Sequence, residues 1–482
     1  MTHILSQNFI NGEFVISADE RFLKKLDPNT GAVLSHFIDS GKKEVDLAVT
    51  AAVKASELWS LESPIKRGLL LKKLVVEMEL KQSLLSKIVA SEGGKPLADA
   101  AGEVAGALLQ GDFWAGEGMR LYGKTMASGN PEKLSFTLRK PHGVVGLIVP
   151  ANTPIANIAW KIFPALVCGN CIVLKASELA PQVAFEIAKC IEKVGFPPGV
   201  FNLIQGGREA GVALVEHPDV SLISFTGSTR AGQEIAKITG PLLKRVSLEL
   251  GGKNCLVVLE DADLEQAVKW SVLSAFSNAG QRCAAASRIL ICDSIYDEFK
   301  KKLIDTTRSL KLGTEPGCHL GPLITEAQRK TALNLLEEGI KDGGVVLEGE
   351  FNSERIKPRD GFYFLPTIVE GVHEASLLQT EEAFAPIVCL TKISDLDAAI
   401  RIINSSKYGL TCALHTMNVG KSVYFARRVK VGTVNINTGT YGSEPHMPFG
   451  GFRMSGNGTR EPGSEALDVY SELTNVSLIE GK

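Results

Sequence analysis

The stretch Val144-Val-Gly-Leu-Ile-Val-Pro150, with Cys171-Ile-Val-Leu174, Val200-Phe-Asn-Leu203 and Leu222-Ile-Ser-Phe225 after it, decides the fold. Each is an apolar run of strand length. The intervals Ile155–Cys168, Pro181–Val194 and Gly211–Glu216 carry their apolar residues at helical spacing. A sheet wet on one face would alternate polar and apolar residues along each strand. Continuous apolar strands between helices instead predict a parallel sheet covered on both faces.

Working outward, Val45, Ala48, Val49, Ala52 and Val53 open a helical region that runs from Lys43 to about Leu121. The first forty residues mix short apolar runs with the turn signals Asn11-Gly12 and Asp27-Pro-Asn-Thr-Gly31, as in a β-rich opening segment. Lys133-Leu-Ser-Phe-Thr-Leu-Arg-Lys140 alternates, and reads as an exposed strand ending at Pro141. A second α/β alternation follows, with strands over Ala284–Cys292 and Thr433–Ile436 and helices over Ile295–Leu310 and Glu326–Gly339. The chain reads as α/β, with two open units meeting near residues 250 to 260.

A chain of 482 residues is too long for one typical core, and its 44% hydrophobic content supplies material for two or three. Charge is balanced, 52 basic against 54 acidic side chains, which leaves no footprint for nucleic acid or an anionic membrane. No apolar run approaches the roughly 18 residues of a membrane span. Met1-Thr-His-Ile-Leu-Ser-Gln-Asn8 lacks the basic-then-apolar order of a secretion signal. Nine scattered cysteines then read as free thiols in a reducing, cytoplasmic setting.

Three short segments carry chemistry. In Phe276-Ser-Asn-Ala-Gly-Gln-Arg-Cys283-Ala, the cysteine sits in a polar turn before an apolar strand. It is either a buried small hydrophobe or a nucleophile whose thiolate is favoured by Arg282 and loop amides. In Leu248-Glu-Leu-Gly-Gly-Lys253, Glu249 precedes a Gly-Gly turn, on the surface or with its carboxylate at a strand end where α/β sites lie. In Pro150-Ala-Asn152-Thr-Pro154, two prolines hold a loop in which Asn152 offers an amide donor.

Taken with Glu381-Glu-Ala-Phe-Ala-Pro386 and Pro448-Phe-Gly-Gly-Phe-Arg453, these segments resemble the aldehyde dehydrogenase superfamily, in order and in register. The likeness runs from Asn8-Phe-Ile-Asn-Gly-Glu13 to Glu465-Ala-Leu-Asp468. It implies a variant Rossmann cofactor domain (1–122 and 142–251), a catalytic domain (252–453) and a small β extension for oligomerisation (123–141 and 454–482). It also implies Cys283 as nucleophile, Glu249 as general base, and Asn152 with the Cys283 amide as oxyanion hole. Glu382 and Phe384 would hold the nicotinamide ribose and ring, and Lys175 and Glu178 the adenosine ribose. Ile148, Val149, Pro150, Phe225, Gly227, Ser228, Leu250 and Gly251 would complete the cofactor cleft. No Gly-x-Gly-x-x-Gly occurs, in keeping with that superfamily's variant dinucleotide binding. Gly227-Ser-Thr-Arg-Ala-Gly232 still offers helix N-terminal amides.

Glu178 would bond a free ribose hydroxyl and repel a 2′-phosphate, favouring NAD, while Lys175 partly offsets that and leaves NADP as the alternative. Relatives that transfer the acyl group to coenzyme A typically lack a base at position 249, so Glu249 favours hydrolysis. Acyl-phosphate reduction would have no use for it, and a catalytically silent member would lack Cys283, Glu249 or Asn152. Arg282 is also found in family members that take anionic aldehydes. Either it grips such an anion or it faces a structural carboxylate, and Arg120 is a weaker candidate for the same work. The substrate-access loop Thr438–His446 adds no arginine.

Cys168-Gly-Asn-Cys171 has redox or zinc spacing but no second pair, and reads as structural; with eight dispersed histidines, no metal is expected. The strand at 133–140 and the C-terminal Val469–Ile479 leave exposed edges, which relatives pair between subunits, so a homodimer or homotetramer is expected. After Ser455, Gly-Asn-Gly-Thr-Arg-Glu-Pro is longer than the family's common turn.

Overall fold

The computed structural model describes residues 5–17, 21–352 and 360–479; residues 1–4 and 480–482, part of the segments 1–122 and 454–482, lie outside it. The secretion-signal reading of Met1–Asn8 therefore falls partly outside the described residues. Among those described, no helix is long and apolar enough to cross a membrane.

The apolar runs of the middle region are strands of one seven-stranded sheet. From one edge its order is Arg245–Glu249, Leu222–Thr226, Val144–Ile148, Cys171–Lys175, Phe201–Ile204, Asn8–Ile10 and Glu13–Val15. The first five are parallel, and the two N-terminal strands close the far edge antiparallel. Cys171–Lys175 is buried at every position, as a strand covered on both faces must be. Prolines start the helices Pro154–Val167 and Pro181–Val194, where a missing N–H costs nothing. The predicted helical region resolves into Lys42–Trp59, Pro64–Leu80, Gln82–Gly93 and Leu97–Glu117. Their apolar stripes join the sheet in a single core that includes Val45, Leu74, Trp114, Val145 and Phe163.

The second seven-stranded sheet runs Val345–Glu348, Thr367–Glu370, Ile387–Ile393, Ala286–Cys292, Asn254–Val258, Thr411–His415 and Thr433–Ile436. All its pairings are parallel except the first. Glu249 ends the last strand of one sheet and Asn254 begins the first strand of the other. A third, three-stranded sheet pairs Ser471–Ile479 with Lys133–Pro141 and the latter with Thr125–Met126.

The C-terminal segment departs from the expected run of strand. Only Ser471–Ile479 is extended in that way. Residues 454–470 turn back over the first sheet and bury Ala466, Leu467 and Tyr470 in its core. The long turn after Ser455 explains why. Asn457 accepts a hydrogen bond from Leu248 N–H (3.0 Å) and donates to the Val246 carbonyl (2.7 Å), satisfying the edge strand Arg245–Glu249.

Candidate active site

In the first sheet the chain leaves Val144–Ile148 toward one side and returns at Leu222–Thr226 on the other. Ligands of open α/β sheets lie at such a reversal, outside the carboxyl ends of the strands. Pro150 and Asn152 follow one of these ends, Gly227 and Ser228 the other, and Glu249 terminates the next strand. Cys283 approaches from the second sheet, three residues before Ala286–Cys292 begins.

The cysteine loop is held in an unusual conformation. Asn278, Ala279 and Gly280 are all left-handed, with φ of 53°, 53° and 68°. A Cβ on Gly280 would lie 2.3 Å from the Ala385 carbonyl oxygen, so only glycine fits. Left-handed non-glycine residues cost of order 1–3 kcal/mol each and persist where the surroundings over-determine them. Here they do. The Gln281 carboxamide accepts from Ile324 N–H at 2.8 Å, Asn254 donates to the carbonyls of Cys283 (2.7 Å) and Ala285 (2.9 Å), and the Thr440 hydroxyl donates to the Ala284 carbonyl (2.6 Å).

These elements enclose a cavity of about 330 Å³ lined by Cys283, Glu249, Asn152, Glu382 and Phe384, with Pro150, Gly227, Ser228, Leu250 and Gly251. Its remaining walls include Trp160 and Phe449, whose rings lie 5.4 Å apart. Burial pushes the Cys283 thiol up to about 12, aided by the carboxylates of Glu382 and Glu249, while the Ala284 amide and Arg282 pull the other way and lose. Desolvation and the two acidic neighbours thus act against the expected thiolate, and the Ala284 amide and Arg282 act for it. Burial, then Glu461, raises the Glu249 carboxyl well above its ordinary range. Neither Glu249 oxygen completes a hydrogen bond; the nearby Gly451 amide favours the charge without closing one. Burial lifts Glu382 to about 7 against the opposing Gly252 amide, which donates to it at 3.0 Å.

The residues fit a dinucleotide. Carboxylates from neighbouring helices fill two helix N-termini of the first sheet: Glu103 accepts from Ile155 N–H, and Glu92 from Gln182 and Val183 N–H. The helix Thr229–Thr239 is instead capped by its own Ser228, and Gly227 and Ser228 face the cavity. That leaves its positive end for a diphosphate. A Cβ on Gly251 would lie 2.2 Å from the Glu382 carboxylate, so glycine keeps this wall close. Lys175 and Glu178 form a 3.0 Å ion pair after strand Cys171–Lys175, outside the cavity lining. Ile148, Val149 and Phe225 also stand off that lining.

Arg282 has no carboxylate partner among the described residues. Its guanidinium lies over the Tyr441 ring, 5.0 Å from the centroid, with Nε buried and unbonded, and it is not among the residues that line the cavity. Arg120 is paired with Glu117 at 2.6 Å and does not reach the cavity. Cys168 and Cys171 are free and buried, and burial pushes both thiols up to about 12.

The sequence profile of the aldehyde dehydrogenase family matches residues 14–476. The chain belongs to that family. It is 35% identical to an alpha-ketoglutaric semialdehyde dehydrogenase of Bacillus subtilis over 97% of both chains. It is 33% identical to the 2-aminomuconic semialdehyde dehydrogenase of Mus musculus over 98% of both. Among solved structures, betaine aldehyde dehydrogenase of Staphylococcus aureus in complex with NAD+ superposes with a TM-score of 0.95 at 31% identity, covering 98% of this chain and 94% of that one. The protein is an NAD(P)-dependent aldehyde dehydrogenase with the two-domain α/β fold of its relatives.

Around the cavity of this dehydrogenase stand residues that sequence reasoning did not single out. Thr153, Ala156, Asn157 and Trp160 line the cavity from one face of the helix after Asn152, a spacing that could have been read as such a face. Gln328 donates to the carbonyls of Ala383 (2.7 Å) and Phe384 (3.3 Å) and fixes the loop that carries Glu382. Near Glu249, Lys161 and Glu461 form a 2.7 Å ion pair with no exposure, closed by Ser224, Ser247 and Tyr470. Three hundred residues separate that pair, and no motif announces it.

Proposed function

We propose that this dehydrogenase oxidises an aldehyde bearing a carboxylate or similar anion to the free acid, with NAD, through a thioester on Cys283. The observation that carries the reading is the convergence of Cys283, Glu249 and Asn152 on one enclosed cavity with Glu382 and Phe384. The thiol passes its proton to water in the cavity, sulfur bonds to the carbonyl carbon, and the carbonyl π electrons move onto oxygen. The resulting oxyanion lies between the Asn152 amide and the Cys283 backbone N–H, and one such donor is worth about 2.7–4 kcal/mol of barrier. Bound NAD+ supplies the hydride acceptor. Glu249, as carboxylate, then takes a proton from water as it adds to the thioester, the C–S bond breaks, and the acid leaves.

Glu178 supports NAD over NADP, since its carboxylate would meet a 2′-phosphate at the adenosine end. Arg282, next to Cys283 though not among the lining residues, is the cation that would meet the anion, since it has no acidic partner among the described residues and lies over the Tyr441 ring. Relatives named for acid-bearing semialdehydes favour the same class. We assign residues 1–122 and 142–251 to cofactor binding and 252–453 to catalysis, and the sheet of Lys133–Pro141 and Ser471–Ile479 to a homodimer or homotetramer, since an edge strand with exposed Leu473 and Leu478 invites pairing. Nine unbridged thiols fit the cytoplasm.

The test is the initial rate of NADH and NADPH formation over neutral, ω-carboxylic and phosphorylated aldehydes, without coenzyme A. An advantage of about tenfold for acidic aldehydes, or roughly 1.4 kcal/mol, is expected. Faster turnover of neutral aldehydes would remove Arg282 from the substrate site, and turnover only with coenzyme A would overturn hydrolysis.

A further inference from the structure

Lys95 and Glu103 form an ion pair of 2.8 Å, and their side chains are only 5% and 6% exposed. Glu103 belongs to the helix Leu97–Glu117 and Lys95 to the turn before it, outside both large sheets. Burying two charges costs several kcal/mol per ion, which their mutual attraction repays only when further hydrogen bonds use the remaining donors and acceptors. Both ions have such bonds, and all of them end on Asn152 or on the first turn of the helix Pro154–Val167 that follows it. Lys95 Nζ donates to the Asn152 carbonyl at 2.7 Å. Glu103 accepts from the amides of Ile155 (3.1 Å) and Ala156 (3.5 Å).

The loop needs this support. Thr153, at the N-cap of the helix Pro154–Val167, provides no side-chain cap, so the orphan amides of that helix are served by a carboxylate from elsewhere. The Asn152 carbonyl receives a second donor, Asn278 Nδ2, at 3.1 Å. The Asn152 and Asn278 amides in turn both donate to the Gln281 carbonyl, at 3.1 and 3.2 Å, two residues before Cys283. Lys95 is itself seated tightly: a Cβ on Gly93 would lie 2.8 Å from its Cε.

We propose that Lys95 and Glu103 are positioning residues for the oxyanion hole. Lys95 fixes the peptide after Asn152 and Glu103 fixes the helix start that follows, so the Asn152 amide is held facing the place where negative charge develops. The assignment rests on the reading of Asn152 as an oxyanion donor. Neither ion touches substrate, yet a shift of about 1 Å in a positioned group can cost on the order of a hundredfold in rate.

The experiment compares burst rates of NADH formation at saturating aldehyde in Asn152→Ala, in Lys95→Met, in Lys95→Met with Glu103→Gln, and in the triple variant. The paired substitution leaves no lone buried charge, which keeps a folded protein to measure even where Lys95→Met alone is unstable. Asn152→Ala should slow the burst by about 10²–10³. The paired substitution should slow it by about tenfold or more, with KM for NAD+ within about twofold of wild type. Once Asn152 is alanine, the paired substitution should cost nothing further, because the group it positions is gone. Lys95→Arg, which keeps a donor, should recover part of the rate. A folded paired variant with the wild-type burst rate, or rate losses that multiply in the triple variant, overturns the positioning role alone. A full-rate Asn152→Ala overturns the oxyanion reading, and the positioning role falls with it.

Discussion

Lys161 and Glu461 face each other at 2.7 Å, fully buried, within electrostatic reach of the Glu249 carboxyl. After burial itself, Glu461 is the larger influence raising Glu249, and Lys161 opposes it. Glu461→Gln should therefore let Glu249 ionise more readily, moving the acid limb of thioester hydrolysis to lower pH. Lys161→Met should move the limb to higher pH and destabilise the fold by about 3–5 kcal/mol, since it leaves a buried carboxylate unpaired. The pH dependence of deacylation reads both. Shifts of the same sign in the two variants would show that the pair does not act on Glu249 through charge.

Glu249→Gln separates stability from turnover. The folded carboxyl holds its proton far more tightly than the unfolded one. The contribution of this one group to wild-type stability is thus fully present below the ordinary carboxyl range and is lost as pH rises from there through the elevated folded value, by about 1.4 kcal/mol for each unit of displacement. The amide has no charge to bury. Its Tm should match wild type in acid and exceed it at neutral pH, while steady turnover falls by about 10²–10⁴ after a burst of one NADH per site. A lower Tm at neutral pH would refute the raised carboxyl.

The middle strands of the first sheet were legible in the sequence because they are nearly continuous apolar runs with helical spacing between them. Much of the second sheet was not. Thr367–Glu370 and Thr411–His415 are only four and five residues long and end on a charged or imidazole side chain, too brief for their local pattern to decide for strand. They are strands because the flanking ladders of Ile387–Ile393 and Asn254–Val258 complete their hydrogen bonds. The site divides in the same way. Glu249, Cys283 and Asn152 sit in short contiguous motifs and could be named in advance. Lys161, Glu461, Lys95 and Asn254 act across distances in sequence that no motif spans. The protonated thiol was illegible for another reason: neighbours along the chain reveal Arg282, whereas burial and Glu382 arrive only with the fold.

Arg282→Met tests the anion subsite without touching the nucleophile. A charge-assisted pair is worth roughly 1.5–3 kcal/mol, so kcat/KM for an ω-carboxylic aldehyde should drop by about ten- to a hundredfold. Neutral aldehydes should change by no more than about twofold. Equal losses on both classes would mean that the guanidinium over the Tyr441 ring supports the loop and not the substrate.

The thiol of Cys283 sets the last prediction. With its proton held to about 12, chiefly by burial and then by Glu382, the free enzyme is expected to carry little thiolate at neutral pH. Iodoacetamide, which reacts with the thiolate alone, should alkylate Cys283 slowly and about tenfold faster for each unit of rising pH. Glu382→Gln removes the first of the two carboxylates that hold the proton on, so alkylation at pH 7 should quicken without any ligand. Bound NAD+ brings a positive ring to the same cavity and should act in the same direction on wild type. The two effects share one cause, an unfavourable field at the sulfur, and should not add in full when NAD+ is given to the Glu382→Gln variant. Rapid alkylation of the free wild-type enzyme at pH 7, already independent of pH, would show that Arg282 and the Ala284 amide win after all, and that the sulfur rests as a thiolate.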